Sequence, residues 1–317
     1  MSAQSSTLLY DALGPAGRRR VRFGTAAVVV GLLAVGYLLL QRLGAQGQLA
    51  WERWAPLLDP RDETFGVLWR FLLGGLGNTL LAAAVAIAAS LVLGTLLGML
   101  RVVSAPWYRW AVVGVVELLR GVPVVIAIFF ASRVLPEISQ GWARHGWIDA
   151  PLDLPLLWYV VIGLVVYNSV VIAEIVRAGL SAVPRGQSEA ALAIGLTRGQ
   201  TLRIVLLPQA FRIMLPALIS QLVVALKDTS LGFIIGFQEL LRRANISIQT
   251  TRSPIQTLLV VAAIYVIVNY SLGRLAEFVH ARTARARVAG PTDAIRQLEP
   301  AGPVVHRDTA RDGSSRL

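Results

Sequence analysis

Residues 71–100 form an uncharged run of thirty, and this run limits the chain more than any other feature. A helix crossing the hydrocarbon layer of a bilayer needs about 20 mostly apolar residues. Where no water can serve the backbone, such a segment must close its own hydrogen bonds, and a helix does so. Three further uncharged spans follow the same rule, at 23–41, 154–173 and 255–272. Two more, 111–132 and 213–238, are long enough but interrupted by charge. The first holds Glu117 and Arg120, then Gly121 and Pro123; the second holds Lys227 and Asp228. Composition agrees with six spans: charged residues are 15% of the chain, against roughly 25% in soluble domains. The expected class is an all-α integral membrane protein. The first span is longer than the apolar core of a signal peptide, and Gln41-Arg42-Leu43 is a poor cleavage site, so it reads as a retained helix.

Six spans place both termini on one side. Arginine is concentrated on the side that carries the termini: 1–22, 101–110 and 174–212 hold 11, while 42–70, 133–153 and 239–254 hold 9. The positive-inside rule then makes both termini cytoplasmic. The net charge of +12 is accounted for by this bias, with no nucleic-acid partner required. Expected organisation is a cytoplasmic segment 1–22, a first helix 23–43, an outer loop 44–70 with Trp51, Trp54 and Trp69 at the interface, a helical core 71–275, and a disordered cytoplasmic tail 276–317.

Several chemistries are excluded early. With no cysteine there is no thiolate zinc site, cysteine nucleophile or disulfide. The three histidines, His145, His280 and His306, lie too far apart along the chain to share a helical face. Lys227 is the only lysine, and it lies between Leu226 and Asp228, so no Gly-Lys-Ser/Thr phosphate-binding loop exists. The chain binds no cofactor of its own by this reading, and it is not an ATPase. No catalytic constellation emerges that would make it a membrane enzyme.

The inner segment 174–212 is long for a connector, and long connections are often functional. Ser188 can cap a short helix through 189–194, with Gly195 as its stop. A second short helix is expected over 197–206, ending near Pro208. From periodicity alone this segment fits either a groove in a partner or the lipid surface.

Glu189-Ala190-Ala191, then Gly195, then Val205-Leu206-Leu207-Pro208 resembles the EAA loop of ABC importer permeases, with Val205 where the family has Ile. Glu117-Leu118-Leu119-Arg120-Gly121-Val122-Pro123 is similar to the E-x-x-R-G-T-P stretch of the polar amino-acid permeases, Val122 replacing Thr. Ala173-Glu174-Ile175-Val176-Arg177-Ala178-Gly179 and Val183-Pro184-Arg185-Gly186-Gln187 resemble their A-E-I-x-R-G-G and V-P-x-G-Q stretches. Leu207-Pro208-Gln209-Ala210, Leu215-Pro216 and Leu226-Lys227-Asp228-Thr229-Ser230-Leu231 continue the pattern, which covers about 70–275.

The resemblance implies a type I ABC importer transmembrane domain of five core helices, with the first helix added. It implies a plasma-membrane permease of a bacterial importer for a polar amino acid, glutamate first. ATP is used by partners: two ATPase subunits, beside a second permease or second copy and an extracytoplasmic amino-acid-binding protein. It assigns Glu189, Ala190, Ala191, Gly195 and Pro208 to coupling. Glu117, Arg120, Lys227, Asp228, Thr229 and Ser230 are candidates for the translocation path, because charge inside a membrane is costly and often functional. Glu117 and Arg120 are expected to pair across one helical turn, and a purely structural pair is the alternative. Glu174 and Arg177 are expected to tie the inner segment to the bundle. The competing class is a secondary amino-acid carrier working alone on an ion gradient.

Overall fold

The computed structural model describes residues 14–103 and 106–285, and the described residues are helical throughout their regular structure. Eleven α-helices run in order: α1 Pro15–Ala45, α2 Trp51–Leu58, α3 Phe65–Val103, α4 Pro106–Arg120, α5 Val124–Arg144, α6 Leu156–Ser181, α7 Arg185–Ala193, α8 Arg198–Gln200, α9 Leu207–Asp228, α10 Leu240–Thr251 and α11 Pro254–Arg285. Among the described residues, six segments are long and apolar enough to cross a bilayer. They are α1, α3, α5, α6, the stretch from α8 through the 3₁₀ turn Thr229–Ile235, and α11 as far as Phe278. The expected first 13 residues of the cytoplasmic segment, and the tail from 286 onward, lie outside the described residues. The first ten residues of the expected tail, 276–285, are instead the end of α11.

The third span differs from its expectation. Residues 111–132 do not form one interrupted helix. α4 stops at Arg120, the chain turns through 121–123, and the crossing helix is α5. Pro123 is the cause: its ring disfavours helical backbone at Val122, while its fixed φ of −59° suits the cap of the next helix.

The outer loop also differs. Residues 51–58 fold as α2, and α3 already begins at Phe65. Leu57 is buried with Leu68, Leu72, Leu240 and Val261. The Gln256 amide donates to the Gln48 carbonyl at 2.5 Å, and the Trp69 indole N–H donates to the Leu57 carbonyl at 3.0 Å. Trp69 is thus a structural donor, whereas Trp51 is exposed as expected for an interfacial residue. By contrast α1 buries no residue against the rest of the chain.

The bundle is built on α3 and α6. Small residues let their backbones approach, as in many membrane helix pairs. Ala82 and Ala86 of α3 are buried against Val160, Val161 and Leu164 of α6, with Ile128 of α5 and Phe237 in the same cluster. Farther along, Ile172, Val176 and Leu180 of α6 meet Ala210, Met214 and Leu218 of α9. An amide pair joins the same two helices inside the span. Gln221 donates to the Asn168 side-chain oxygen at 2.8 Å, and Asn168 donates to the Leu164 carbonyl at 2.9 Å. In hydrocarbon such groups have no water to fall back on, so pairing is what makes their burial tolerable.

Candidate functional site

The inner segment is a folded element. α6 continues to Ser181, so Glu174 and Arg177 are helical and the connector proper starts at Ala182. Pro184 caps α7, one helical turn earlier than the expected cap, and the Ser188 hydroxyl donates inside the helix to the Arg185 carbonyl. Gly195 ends the helix as expected, at φ +86°. Its N–H donates to the Leu192 carbonyl and that of Leu196 to the Ala191 carbonyl, which is the paired closure that a left-handed residue permits. Thr197 and Gln200 then cap α8 reciprocally.

The second expected helix does not end near Pro208. After α8 the chain widens into a π-helical stretch, Thr201–Leu206, and runs directly into α9 with Pro208 in its first turn. Proline is tolerated there because its missing N–H has no intrahelical role at a helix start. The Gln209 amide reaches back to the Gln187 side chain at 3.1 Å, tying α9 to α7. Within α7, Ala191 is buried, while Glu189 and Ala190 face out. Ile194 is an apolar side chain 79% exposed at the helix tip. The motif-based reading did not single it out.

Beside this element lies a charge cluster. The expected pair across one turn of α4 does not form. Glu117 accepts from Arg101 of α3 at 3.2 Å, and Arg101 also donates to Glu174 of α6 at 2.6 Å. Arg177 donates to the other oxygen of Glu174. Arg101 is only 8% exposed at its side chain, Glu174 26% and Glu117 52%. Arg120 is exposed, with no ion pair among the described residues. The cluster therefore joins three helices. Glu174 thus ties α6 to α3 rather than the connector to the bundle, and Arg101 is the member that sequence reasoning missed. Charge compatibility alone could have offered Arg101, but it lies 73 residues from Glu174.

The second group of candidates divides. Lys227 and Ser230 line a cavity of about 380 Å³ between the end of α9, α10 and α11, together with Leu241, Leu258, Val261 and Tyr265. Asp228, its neighbour on the helix, is half-buried and does not line it. Thr229 is fully buried and its hydroxyl donates to the Leu226 carbonyl. Ser230 donates to the Lys227 carbonyl at 2.7 Å. Both hydroxyls thus serve backbone groups at the change from α to 3₁₀ geometry.

One wall of the cavity is fastened by Glu239, the cap of α10. Its carboxylate accepts from the N–H groups of Leu241 and Arg242 and from the Tyr265 hydroxyl, at 2.8, 2.6 and 2.9 Å. Burial pushes this carboxyl up, and the two backbone donors and the phenol oppose the shift. Thr79 and Asn78 of α3 hold the same turn through the Leu240 N–H and the Gln238 carbonyl.

Residues 90–285 match the family described as binding-protein-dependent transport system inner membrane component. The chain is 38% identical over 247 residues to a glutamate transport system permease protein, GluD of Corynebacterium glutamicum, covering 77% of this chain and 85% of the relative. It is 34% identical over 217 residues to a probable glutamine ABC transporter permease protein, GlnP of Bacillus subtilis, covering 67% of this chain and 93% of the relative. Among solved structures, an amino acid ABC transporter crystallised with histidines superposes with a TM-score of 0.58 at 27% identity, covering 69% of this chain and 97% of that one.

Proposed function

Because the chain belongs to the family of binding-protein-dependent transport system inner membrane components, as the permease subunit of an ABC amino-acid importer, we propose that its substrate is glutamate. We also propose that α7 is the element through which ATP hydrolysis drives it. The likeness to a glutamate permease supports the first part. For the second, the carrying observation is that α7 exposes Glu189 along its length and Ile194 at the turn that closes it. The secondary-carrier alternative falls with the family assignment: the energy source is an ATPase partner, and a carrier working alone has no support.

An ABC importer of this family works with ATPase subunits, a partner permease and a binding protein outside. In the assembly proposed here, two ATPase subunits each receive one α7, from this chain and from a second permease or second copy. Glu189, Ala190, Ala191 and Gly195 form the docking element, and Pro208 starts the helix that carries the displacement into the bundle. Glu117, held by Arg101, belongs to the inner scaffold rather than to the path, and Lys227 and Ser230 line the path. Replacing Gly195 with valine requires a β-branched residue at φ +86°, a conformation it rarely adopts. Replacing Glu189 with lysine reverses an exposed charge on the docking face. In the reconstituted importer each variant should lower glutamate uptake by about tenfold or more, while the ATPase either dissociates or hydrolyses ATP without transport. Normal uptake in both variants would reject docking through α7.

Both termini are cytoplasmic in this reading. The first two turns of α1 with residues 103–123 and 182–206 hold nine arginines, and 46–64, 145–155 and 236–253 hold five. The absence of native cysteine allows a direct test. In intact cells, A150C and Q249C, both at exposed positions, should react with an impermeant maleimide, and R198C should not. Labelling of R198C in sealed cells, with the other two silent, inverts the topology.

A further inference from the structure

α1 carries four arginines at its start and buries no residue against the bundle. Arg18, Arg19, Arg20 and Arg22 are all exposed. Arg19, Arg20 and Arg22 form no ion pair among the described residues. The first turn of the helix holds no acidic residue, and Gly14 caps it without a side-chain acceptor. The positive end of the helix dipole therefore adds to the arginine charge instead of offsetting it. Helical geometry turns Arg19 and Arg20 about 100° and about 200° away from Arg18, and Arg22 returns to the side of Arg18 one turn on. The guanidinium groups thus encircle the helix. The apolar run behind them is open on every side as well: Val28, Val29, Val30 and Leu38 point in four different directions, and all are exposed. Residues 23–41 rise about 28 Å as a helix, close to a hydrocarbon thickness of about 30 Å. From Arg18 to Arg22 the rise is about 6 Å, the depth of one headgroup layer.

We propose that this arginine collar binds anionic phospholipid headgroups at the membrane surface where α1 begins. A guanidinium presents paired N–H donors that match two phosphate oxygens. An anionic headgroup also supplies the negative charge that the first turn lacks. The all-round arrangement selects the partner. A protein or a nucleic acid would meet one side of the helix and leave the other arginines facing elsewhere, whereas lipid surrounds a helix that packs against nothing. The long arginine stems can lie along the apolar boundary while their heads reach the phosphates. α1 precedes the residues that the family model matches, 90–285, so the collar is an addition to the permease core. The inference needs only that α1 spans the membrane, and it is independent of the substrate and of docking through α7.

The absence of native cysteine permits a local probe. The full chain carrying V28C is labelled with bimane at that exposed position, two turns beyond the collar, and placed in nanodiscs of equal phosphatidylglycerol and phosphatidylcholine. Either lipid is supplied with dibrominated acyl chains, which quench on contact, so the two quenching curves give the relative affinity of the two headgroups for the surface of α1. With the collar intact, phosphatidylglycerol should be preferred by at least about fivefold, the attraction expected for one arginine at an anionic surface. The preference should shrink when salt rises from about 0.1 M to about 1 M. In R19Q/R20Q/R22Q it should fall close to one, while quenching by phosphatidylcholine persists and shows that α1 is still in the bilayer. The single substitutions R19Q, R20Q and R22Q each leave three arginines to hold the helix in place, and each should lower the preference part of the way. Equal quenching by both lipids with the collar intact would overturn the proposal, as would a preference that survives all four substituted chains. If inorganic phosphate abolishes the preference and sodium chloride of the same ionic strength does not, the collar is a site for a soluble anion and the lipid assignment fails.

Discussion

Arg101→Met should cost this protein more than loss of any other single charge. The substitution leaves Glu117 and Glu174 facing each other without the guanidinium that both share. Removing one partner from a buried ion pair typically costs about 3–5 kcal/mol, because the remaining charge stays desolvated. The carboxylates here are partly exposed, which moves the expectation to the lower end of that range or below it. Glu174→Gln should cost less, since Arg101 keeps Glu117 and the glutamine can still accept. Glu117→Gln should cost least, because half of its side chain is already in solvent. Thermal unfolding of the purified chain in detergent should rank the three in that order. A combined R101M/E117Q variant should recover part of the loss, because Glu174 keeps Arg177 as its partner and no carboxylate is left facing it without a cation. A melting curve for R101M that matches wild type would show that the cluster contributes nothing.

Gly163→Val should disrupt the bundle by a different route. Gly163 lies where α6 crosses α5. A Cβ there would stand 2.5 Å from the Ile128 Cα and 2.6 Å from its backbone nitrogen. Neither atom belongs to a flexible side chain, so the two helices must separate. Overpacking of cores costs about 1–3 kcal/mol even where side chains can adjust. Here the seam also carries Ile128, Val160 and Leu164, whose contacts would all loosen. Gly163→Ala should already lower the melting temperature, and valine should abolish monodisperse protein on size exclusion. Shortening Ile128 to alanine in the same chain should not rescue it, since the clash is with backbone. Gly77→Ala is the control: no atom lies within 4 Å of its Cβ position, so stability should hold or rise slightly. Rescue of G163V by I128A would place the conflict in the side chain instead.

Neither Arg101 nor Gly163 stood out in the sequence, and the reasons differ. Arg101 lies at the end of an apolar run, where arginine is ordinary at a membrane interface. Its partners come from α4 and α6, and no local spacing connects them. Gly163 is one of 28 glycines, and nothing in the neighbouring residues says which of them meets a backbone. The Glu117–Arg120 expectation failed for a related reason. Spacing makes a pair possible within a helix, but a better placed cation on α3 took the carboxylate. The helix within the outer segment is not legible because charge and tryptophan dominate it, while Leu57, the buried residue of α2, looks unremarkable in sequence.

What the sequence by itself determined were the features enforced within one stretch of chain. Lipid forces each long apolar run to satisfy its own backbone, so the all-helical class and six segments long and apolar enough to cross, among the described residues, follow from residue type and length, while the bounds of the third do not. Gly195 specifies its turn because a left-handed residue is needed where a helix closes. The single lysine excludes a phosphate-binding loop whatever the fold. The tertiary structure alone decided how these pieces meet. It chose Arg101 for Glu117 and Glu174, put α2 into the core, and brought Lys227 of α9 and Tyr265 of α11 to one cavity. Hydrogen bonds within a helix depend on neighbours a few residues away, whereas these contacts join groups that only the packing of whole helices brings within reach.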